Sequence, residues 1–296
     1  MFEEELIGFC EEKLNSMCDG QCCNCNHPTG AVKYECDGDC DKCFDEIHFE
    51  QGELLVREDY NCQKLIYNYV PKYFERYTNN IKKILDFIDL NNYENFKIFS
   101  IGCGPAPDLN AFCELNPNKC IDYYGIDRNE KWKPVHNEIK EISKSLKSVT
   151  ADFKSADIFD IIEDGETFEG YNVLVIQYLV SHLFNTEQDN RIDDLFDFIC
   201  THILLDRQDD SPFLIIINDI DTYSKGRNYF WHLIDFVEQA GCYGKAYAIS
   251  DCSTGDLGVE RWTRNQFSNT FENISYKYIT PYPKNFEGAA LIIEVD

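Results

Sequence analysis

From residue 96 onward, short apolar runs alternate with amphipathic stretches. Residues 97–101, 121–126, 171–177 and 212–218 read as strands, and 149–153 as a weaker one. Between and after them, 108–115, 133–146, 192–205 and 228–240 read as helices, with apolar positions recurring every three or four residues where the stretch is long enough to show it. Unbroken runs such as the Phe-Leu-Ile-Ile-Ile of 213–217 suit strands covered on both faces, so the alternation predicts a mostly parallel sheet between helical layers. The end differs. Residues 274–279 and 289–295 are strand-like and joined by a Pro/Gly loop too short for a helix, so they are expected to pair antiparallel.

Upstream, Leu65, Ile66, Tyr69, Tyr73, Tyr77, Ile81, Ile84, Leu85 and Ile88 follow a helical spacing, and Pro71 predicts a short helix, a break and a longer helix. The first 60 residues are polar and cysteine-rich, with four Lys/Arg against sixteen Asp/Glu, a net of -12. Three regions result: a Cys-rich module at 1–59, a helical connector or lid at 60–95, and an α/β domain at 96–296.

The whole chain carries a formal net charge of -26. Nucleic-acid binding is driven by cations that displace counterions, so RNA ranks behind a small molecule or a protein as partner. The cations of 64–83 (Lys64, Lys72, Arg76, Lys82 and Lys83) form the only cation-rich stretch of the N-terminal third and would be the basic contact of an RNA methyltransferase. No apolar run reaches the roughly 20 residues that span a bilayer. The acidic start, MFEEELIGF, lacks the features of a signal peptide, and the expectation is a cytoplasmic protein with no membrane partner.

The segment KIFSIGCGPAPDL sets a glycine-rich turn between a strand and a helix. Glycine permits the tight turn and the close approach of a ligand. Asp127 ends the next strand about twenty residues on, where a carboxylate can grip ribose hydroxyls. Asp157, followed by Ile158, stands after the third strand, where an acid beside an apolar residue can hold an adenine edge. Ribose and adenine anchors together imply an adenosine-containing ligand.

With these residues the chain resembles the class I S-adenosylmethionine-dependent methyltransferases. That family has a Gly-x-Gly-x-Gly turn after the first strand, acids after the second and third, and a C-terminal antiparallel hairpin. Gly102, Gly104, Asp127, Asp157 and the 274–295 pair match in order over about 200 residues. The resemblance implies a Rossmann-like, seven-stranded, mostly parallel sheet ending in that hairpin. It also implies S-adenosyl-L-methionine as cofactor, held by Ser100, Gly102, Cys103, Gly104, Asp127, Asp157, Ile158 and Gln177. Cys103 is expected to contribute only its backbone. Two positions depart from the family: Ala106 replaces the third glycine, and Ser100 stands where many relatives carry an acid. NAD is disfavoured, because Pro107 occupies the third glycine position of Gly-x-Gly-x-x-Gly, and no Walker lysine follows the turn.

The fourth strand delivers Gln177, Tyr178, Ser181 and His182 toward the site. His182 is the candidate general base, with Tyr178 as a second catalytic candidate; a structural histidine on a helix face is the competing reading. Asn218, Asp219 and Asp221 either line the acceptor pocket or cap the following helix. Tyr69, Tyr73, Arg76 and Tyr77 are read as a lid over the cofactor or as helix core. The Asn/Asp-Pro-Pro-Tyr/Phe motif of base-amine methyltransferases is absent.

Fifteen cysteines remain to be placed, eight of them in the first 43 residues. Cys18, Cys22, Cys25, Cys36, Cys40 and Cys43 repeat the frame Cys-Asp-Gly-x-Cys-x-x-Cys, whose Cys-x-x-Cys pairs suit tetrahedral Zn2+. Cys-x3-Cys-x2-Cys is also an iron–sulfur spacing, so both metals stay open, zinc first. With its net of -12, the module fits a structural staple or a protein dock. A non-catalytic scaffold that recruits a partner through this module is the alternative to an enzyme.

Overall fold

The structure is a computed structural model. It describes residues 2–17, 40–41, 43–44, 60, 62–165, 168–186, 188–205, 212–220, 229–250, 271–278 and 288–296. The elements are α1 (Phe2–Ser16), α2 (Gln63–Leu85), β1 (Phe96–Ile101), α3 (Pro107–Leu115), β2 (Ile121–Asp127), α4 (Lys133–Ser145), β3 (Val149–Ser155), α5 (Ile158–Glu163), β4 (Val173–Gln177), α6 (Leu179–Asn185), α7 (Asn190–Phe198), β5 (Phe213–Asp219), α8 (Phe230–Gln239), β6 (Gly244–Ser250), β7 (Ile274–Tyr278) and β8 (Ala289–Val295).

The strands form one eight-stranded sheet in the order β3-β2-β1-β4-β5-β8-β6-β7. All neighbours pair parallel except β8, which runs antiparallel to both β5 and β6. The expected α/β architecture is present, with two corrections. Among the described residues there are eight strands, not seven, and the last two do not form a hairpin: β8 inserts between β5 and β6, while β7 lies at the edge beside β6. The residue pattern gives the reason. Ala-Ala-Leu-Ile-Ile-Glu-Val is buried nearly throughout, as an interior strand must be, whereas Ile-Ser-Tyr-Lys-Tyr buries Ile274 and exposes Ser275 and Lys277. The unforeseen β6 is built on Ala246 and Ala248, too small to read as an apolar run.

Strand alternation divides the core in two. Ile98, Tyr123, Val175, Ile216 and Ile292 point to the face covered by α1 to α4. Phe99, Ile101, Leu174, Ile176, Ile217 and Leu291 point to the face covered by α5 to α8.

Helix α2 runs unbroken through Pro71, against the expected interruption. Proline removes the bond to the carbonyl four residues back. Here the buried stripe of Ile66, Val70, Phe74 and Ile81 spans that gap and seats the helix against α1 and α3. Helix α1, unrecognised in the sequence, buries Phe2, Leu6 and Cys10 in the same core. Among the described residues, no helix is long and apolar enough to cross a membrane.

Candidate active site

The turn from Gly102 to Ala106 closes β1 and opens α3 at the carboxyl end of the sheet. Gly102 (φ +67°), Gly104 (φ +48°) and Ala106 (φ +55°) are all left-handed. This conformation suits glycine, while an alanine held there is strained. A Cβ on Gly102 would sit 3.6 Å from Leu179, and one on Gly104 would sit 3.7 Å from the Trp132 ring, both ordinary contacts, so the left-handed backbone rather than lack of room is what calls for glycine here.

Every N–H of this turn is already committed. Gly102 and Cys103 donate to the Ile126 carbonyl at 2.8 and 3.1 Å. Gly104 donates to Asp127 Oδ2 at 2.9 Å. Ala106 donates to the Cys103 carbonyl at 2.8 Å, and Pro105 and Pro107 have no N–H. At the start of α3, the fully buried Asp108 carboxylate takes the N–H groups of Asp108 and Leu109. Phosphate recognition at such a turn needs free N–H groups. This one offers none, and the buried Asp108 carboxylate already takes up the N-terminus of α3.

Asp127 anchors the arrangement. Its second oxygen accepts from Asn129 N at 2.8 Å, and burial raises its pKa against the opposing pull of these two N–H groups. A carboxylate has about four acceptor positions, and two are filled here, leaving capacity for two ribose hydroxyls. The residues therefore fit an adenosine ribose. Asp157 caps α5 by accepting from Phe159 N at 3.0 Å through one oxygen, with Ile158 buried behind it.

Other expected cofactor residues are placed differently. Ser100 is buried beneath the turn, and its hydroxyl is bonded to Asp108. Tyr123 OH also donates to that carboxylate, at 3.1 and 3.2 Å to its two oxygens. A carboxylate thus stands beside Ser100 after all, that of Asp108 at the start of α3, where burial pushes its pKa up to about 6. Cys103 spends its N–H on Ile126 of β2 and its carbonyl on Ala106 within the turn, and its thiol is buried, with Sγ 3.9 Å from His136 Nε2.

His136 and Trp132 went unnoticed in the sequence. His136 Nε2 donates to the Gly104 carbonyl at 2.7 Å and its ring stacks on Phe153 at 4.2 Å. Burial lowers its pKa to about 4, so it stays neutral. A Trp and a His spaced i, i+4 just after the second-strand acid were the available signal.

Helix α2 covers the site. Tyr77 lies 4.4 Å from Tyr178, Tyr73 stacks on Tyr77 at 5.7 Å, and Tyr69 meets Trp132 edge-on at 5.5 Å. Asn129 Nδ2 donates to the Tyr60 carbonyl at 3.2 Å, and Gln63 Nε2 to the Lys131 carbonyl at 3.0 Å, tying the start of α2 to the loop beyond Asp127. The exposed Arg76 sits at the rim, its charge acting on Tyr77 and Tyr178. The residues read as lid or as helix core thus pack beside the carboxyl ends of β1 and β4, with Tyr77 buried in the helix's inner stripe.

The two catalytic candidates part company. Tyr178, left-handed at φ +54°, accepts from Asn80 Nδ2 at 3.2 Å, and burial raises its phenol pKa, so it is no base near neutral pH. His182 lies half-buried on α6, with Nε2 3.1 Å from Arg128 Nη2. Asp219 is buried and caps α6 through Ser181 N at 2.9 Å, with its pKa pushed up to about 6 by burial. Asp221 lies outside the described residues.

Of the six cysteines, only Cys40 and Cys43 are described. They pack with Phe44, which is buried against Tyr69 and Tyr73 at 6.0 and 5.3 Å. Cys18, Cys22, Cys25 and Cys36 lie outside the described residues. Among the described residues, no three His, Cys, Asp or Glu groups gather to hold a metal.

No family model matches the chain, and no curated protein does. It is similar to solved structures at low identity. One is the plantazolicin methyltransferase BpumL in complex with SAH (13% identity, 98% of this chain and 99% of that one, TM-score 0.44). Another is human N-acetylserotonin methyltransferase in complex with SAM (13%, 90% and 68%, TM-score 0.47). A third is the pyocyanin biosynthetic protein PhzM (8%, 79% and 58%, TM-score 0.43).

Proposed function

We propose that this chain is an S-adenosylmethionine-dependent methyltransferase acting on a small molecule. The observation that carries the reading is the state of the turn. All its N–H groups are spent, so nucleotide phosphates have nothing to bind, while Asp127 keeps lone pairs for a ribose. That combination selects an adenosine cofactor without phosphates. S-adenosylmethionine supplies an electrophilic methyl group on a sulfonium centre. Asp127 would hold the ribose, Asp157 and Ile158 the adenine edge, and Tyr77 and Tyr178 would keep water from the reacting atoms.

His182 is the residue we assign to remove the acceptor's proton, through Nε2 once Arg128 gives way. A small acceptor is favoured over RNA by charge: the chain carries a net -26, and two of the five cations of 64–83, Lys72 and Lys82, are engaged by Asp41 and Glu114, each at 2.6 Å.

Calorimetry with S-adenosylmethionine and S-adenosylhomocysteine tests the cofactor site, and tritium transfer from labelled cofactor into fractionated extract tests the acceptor class. Saturable binding of both nucleosides, with label in the small-molecule fraction, is the expected result. Binding of neither refutes the reading.

The cysteine module is assigned to zinc on its spacing. Phe44, next to Cys43, packs against Tyr69 and Tyr73, so a metal held there would be expected to play a structural role beside α2. Elemental analysis of the purified chain should return at least one zinc; an iron chromophore or no metal would overturn the assignment.

A further inference from the structure

We propose that the side-chain amides of Gln177, which the resemblance had assigned to the cofactor, and Asn218 recognise the methyl acceptor. The acceptor is then a neutral, planar molecule that presents a hydrogen-bond donor and acceptor side by side, as a lactam, carboxamide or hydroxy-heteroarene does. The inference rests on the methyltransferase reading and names the substrate class of that site.

Gln177 ends β4, and Asn218 is its partner in register on β5. Val175 and Ile216, two residues earlier on each strand, point to the face under α1 to α4, so alternation turns both amides to that face, toward α2. Asn218 is 0% exposed and Gln177 9%. Among the described residues, none of their four amide nitrogen and oxygen atoms has a hydrogen-bond partner. Buried polar groups are almost always paired, and four orphans on two adjacent residues is a concentrated exception. It falls at the carboxyl ends of parallel strands, where α/β sheets take their ligands.

Two further features shape the space. Gly288 (φ +116°) sits so close that a Cβ there would lie 3.7 Å from Asn218 Oδ1 and 2.6 Å from the Asp219 carbonyl oxygen. No side chain can grow into the room beside Asn218. Tyr178 follows Gln177 directly and, paired with Tyr77 at 4.4 Å, gives the region a flat aromatic surface. An amide offers N–H and C=O together, so a molecule satisfying two of them must return both. The next residue, Asp219, is a buried carboxylate that disfavours an anion.

Asn218→Leu and Gln177→Met replace the amides with apolar groups of similar size. Replacing an unpartnered amide in this way is close to neutral or stabilising in the free protein. The expected result is an unchanged or raised Tm for both variants. With S-adenosylhomocysteine bound, each variant should lose at least tenfold in affinity for the probes 2-quinolone and benzamide, which the wild type binds in preference to quinoline-2-carboxylate.

A clear fall in Tm in both variants would show the amides to be structural, overturning the proposal. So would equal probe binding by wild type and variants, absent probe binding, or methyl label recovered in RNA. Wild type that binds no S-adenosylhomocysteine would instead overturn the cofactor reading beneath it.

Discussion

His136 donates its Nε2 hydrogen to the carbonyl oxygen of Gly104 at 2.7 Å, from a ring stacked on Phe153. The bond holds the turn from its carbonyl side, while Asp127 holds the same residue through its N–H. His136→Phe keeps the aromatic stack and removes the donor, leaving a carbonyl without a partner. Chemical denaturation should show a loss of about 1–3 kcal/mol, and calorimetry a weaker hold on S-adenosylhomocysteine. His136→Gln, which keeps a donor, should recover part of both. A His136→Phe variant equal to wild type in the two measurements would mean that the turn keeps its shape without this bond.

Three buried groups make stability depend on pH in opposing senses. Asp108 and Asp219 are raised to about 6, whereas carboxylates in an unfolded chain titrate near 4. Between those limits the folded chain holds protons that the unfolded chain has released, so acidification stabilises the fold. His136, lowered to about 4, acts the other way below the ordinary histidine value of about 6.5, because the unfolded chain takes up a proton that the folded one refuses. Asp108→Asn removes one of the two stabilising contributions. Its stability deficit relative to wild type should be larger at pH 5 than at pH 7 in urea titrations; a deficit independent of pH would show that Asp108 has an ordinary pKa.

Ala106 stands at φ +55°, as the residue before the first turn of α3. A side chain in the left-handed region costs roughly 1–2 kcal/mol, partly offset because glycine gains freedom in the unfolded chain. Ala106→Gly, which places a third glycine in the turn, should raise stability by about 1 kcal/mol and Tm by a few degrees. A lower Tm would show that Ala106, fully buried, contributes more through packing than its backbone costs.

What the sequence revealed follows from the range of the interactions involved. Strands β1, β4 and β5 and the glycine turn are signalled locally, by apolar runs and by residues that must adopt positive φ. The acids Asp127 and Asp157 were legible because their place relative to a strand end is itself a local matter. The order of the last strands was not, since it depends on which of two runs is buried on both faces once the sheet forms. Strand β6 escaped because alanine pairs give little apolar signal. Ser100, taken alone, suggested a lost acid; only the fold brings Asp108 beneath it. Helix α1 was hidden by its acidic surface, and His136 by lying on a helix whose partner is a backbone carbonyl 32 residues earlier.

His182 Nε2 faces Arg128 Nη2 at 3.1 Å. A guanidinium only donates, so Nε2 is the acceptor in this pair and the imidazole is held neutral, with its proton on Nδ1. That is the protonation state a general base needs, with its lone pair covered until an acceptor displaces the arginine. General-base catalysis contributes about 10²–10⁴ in rate. His182→Ala should therefore lower kcat by at least about a hundredfold and remove the acidic limb of the pH–rate profile, with S-adenosylhomocysteine affinity retained. Arg128→Gln keeps the imidazole and lifts the competing charge, so it should retain that limb and most of kcat. Were His182→Ala to keep kcat within a few-fold of wild type, with the limb intact, the imidazole would be a surface partner of Arg128 and the proton would leave by another route.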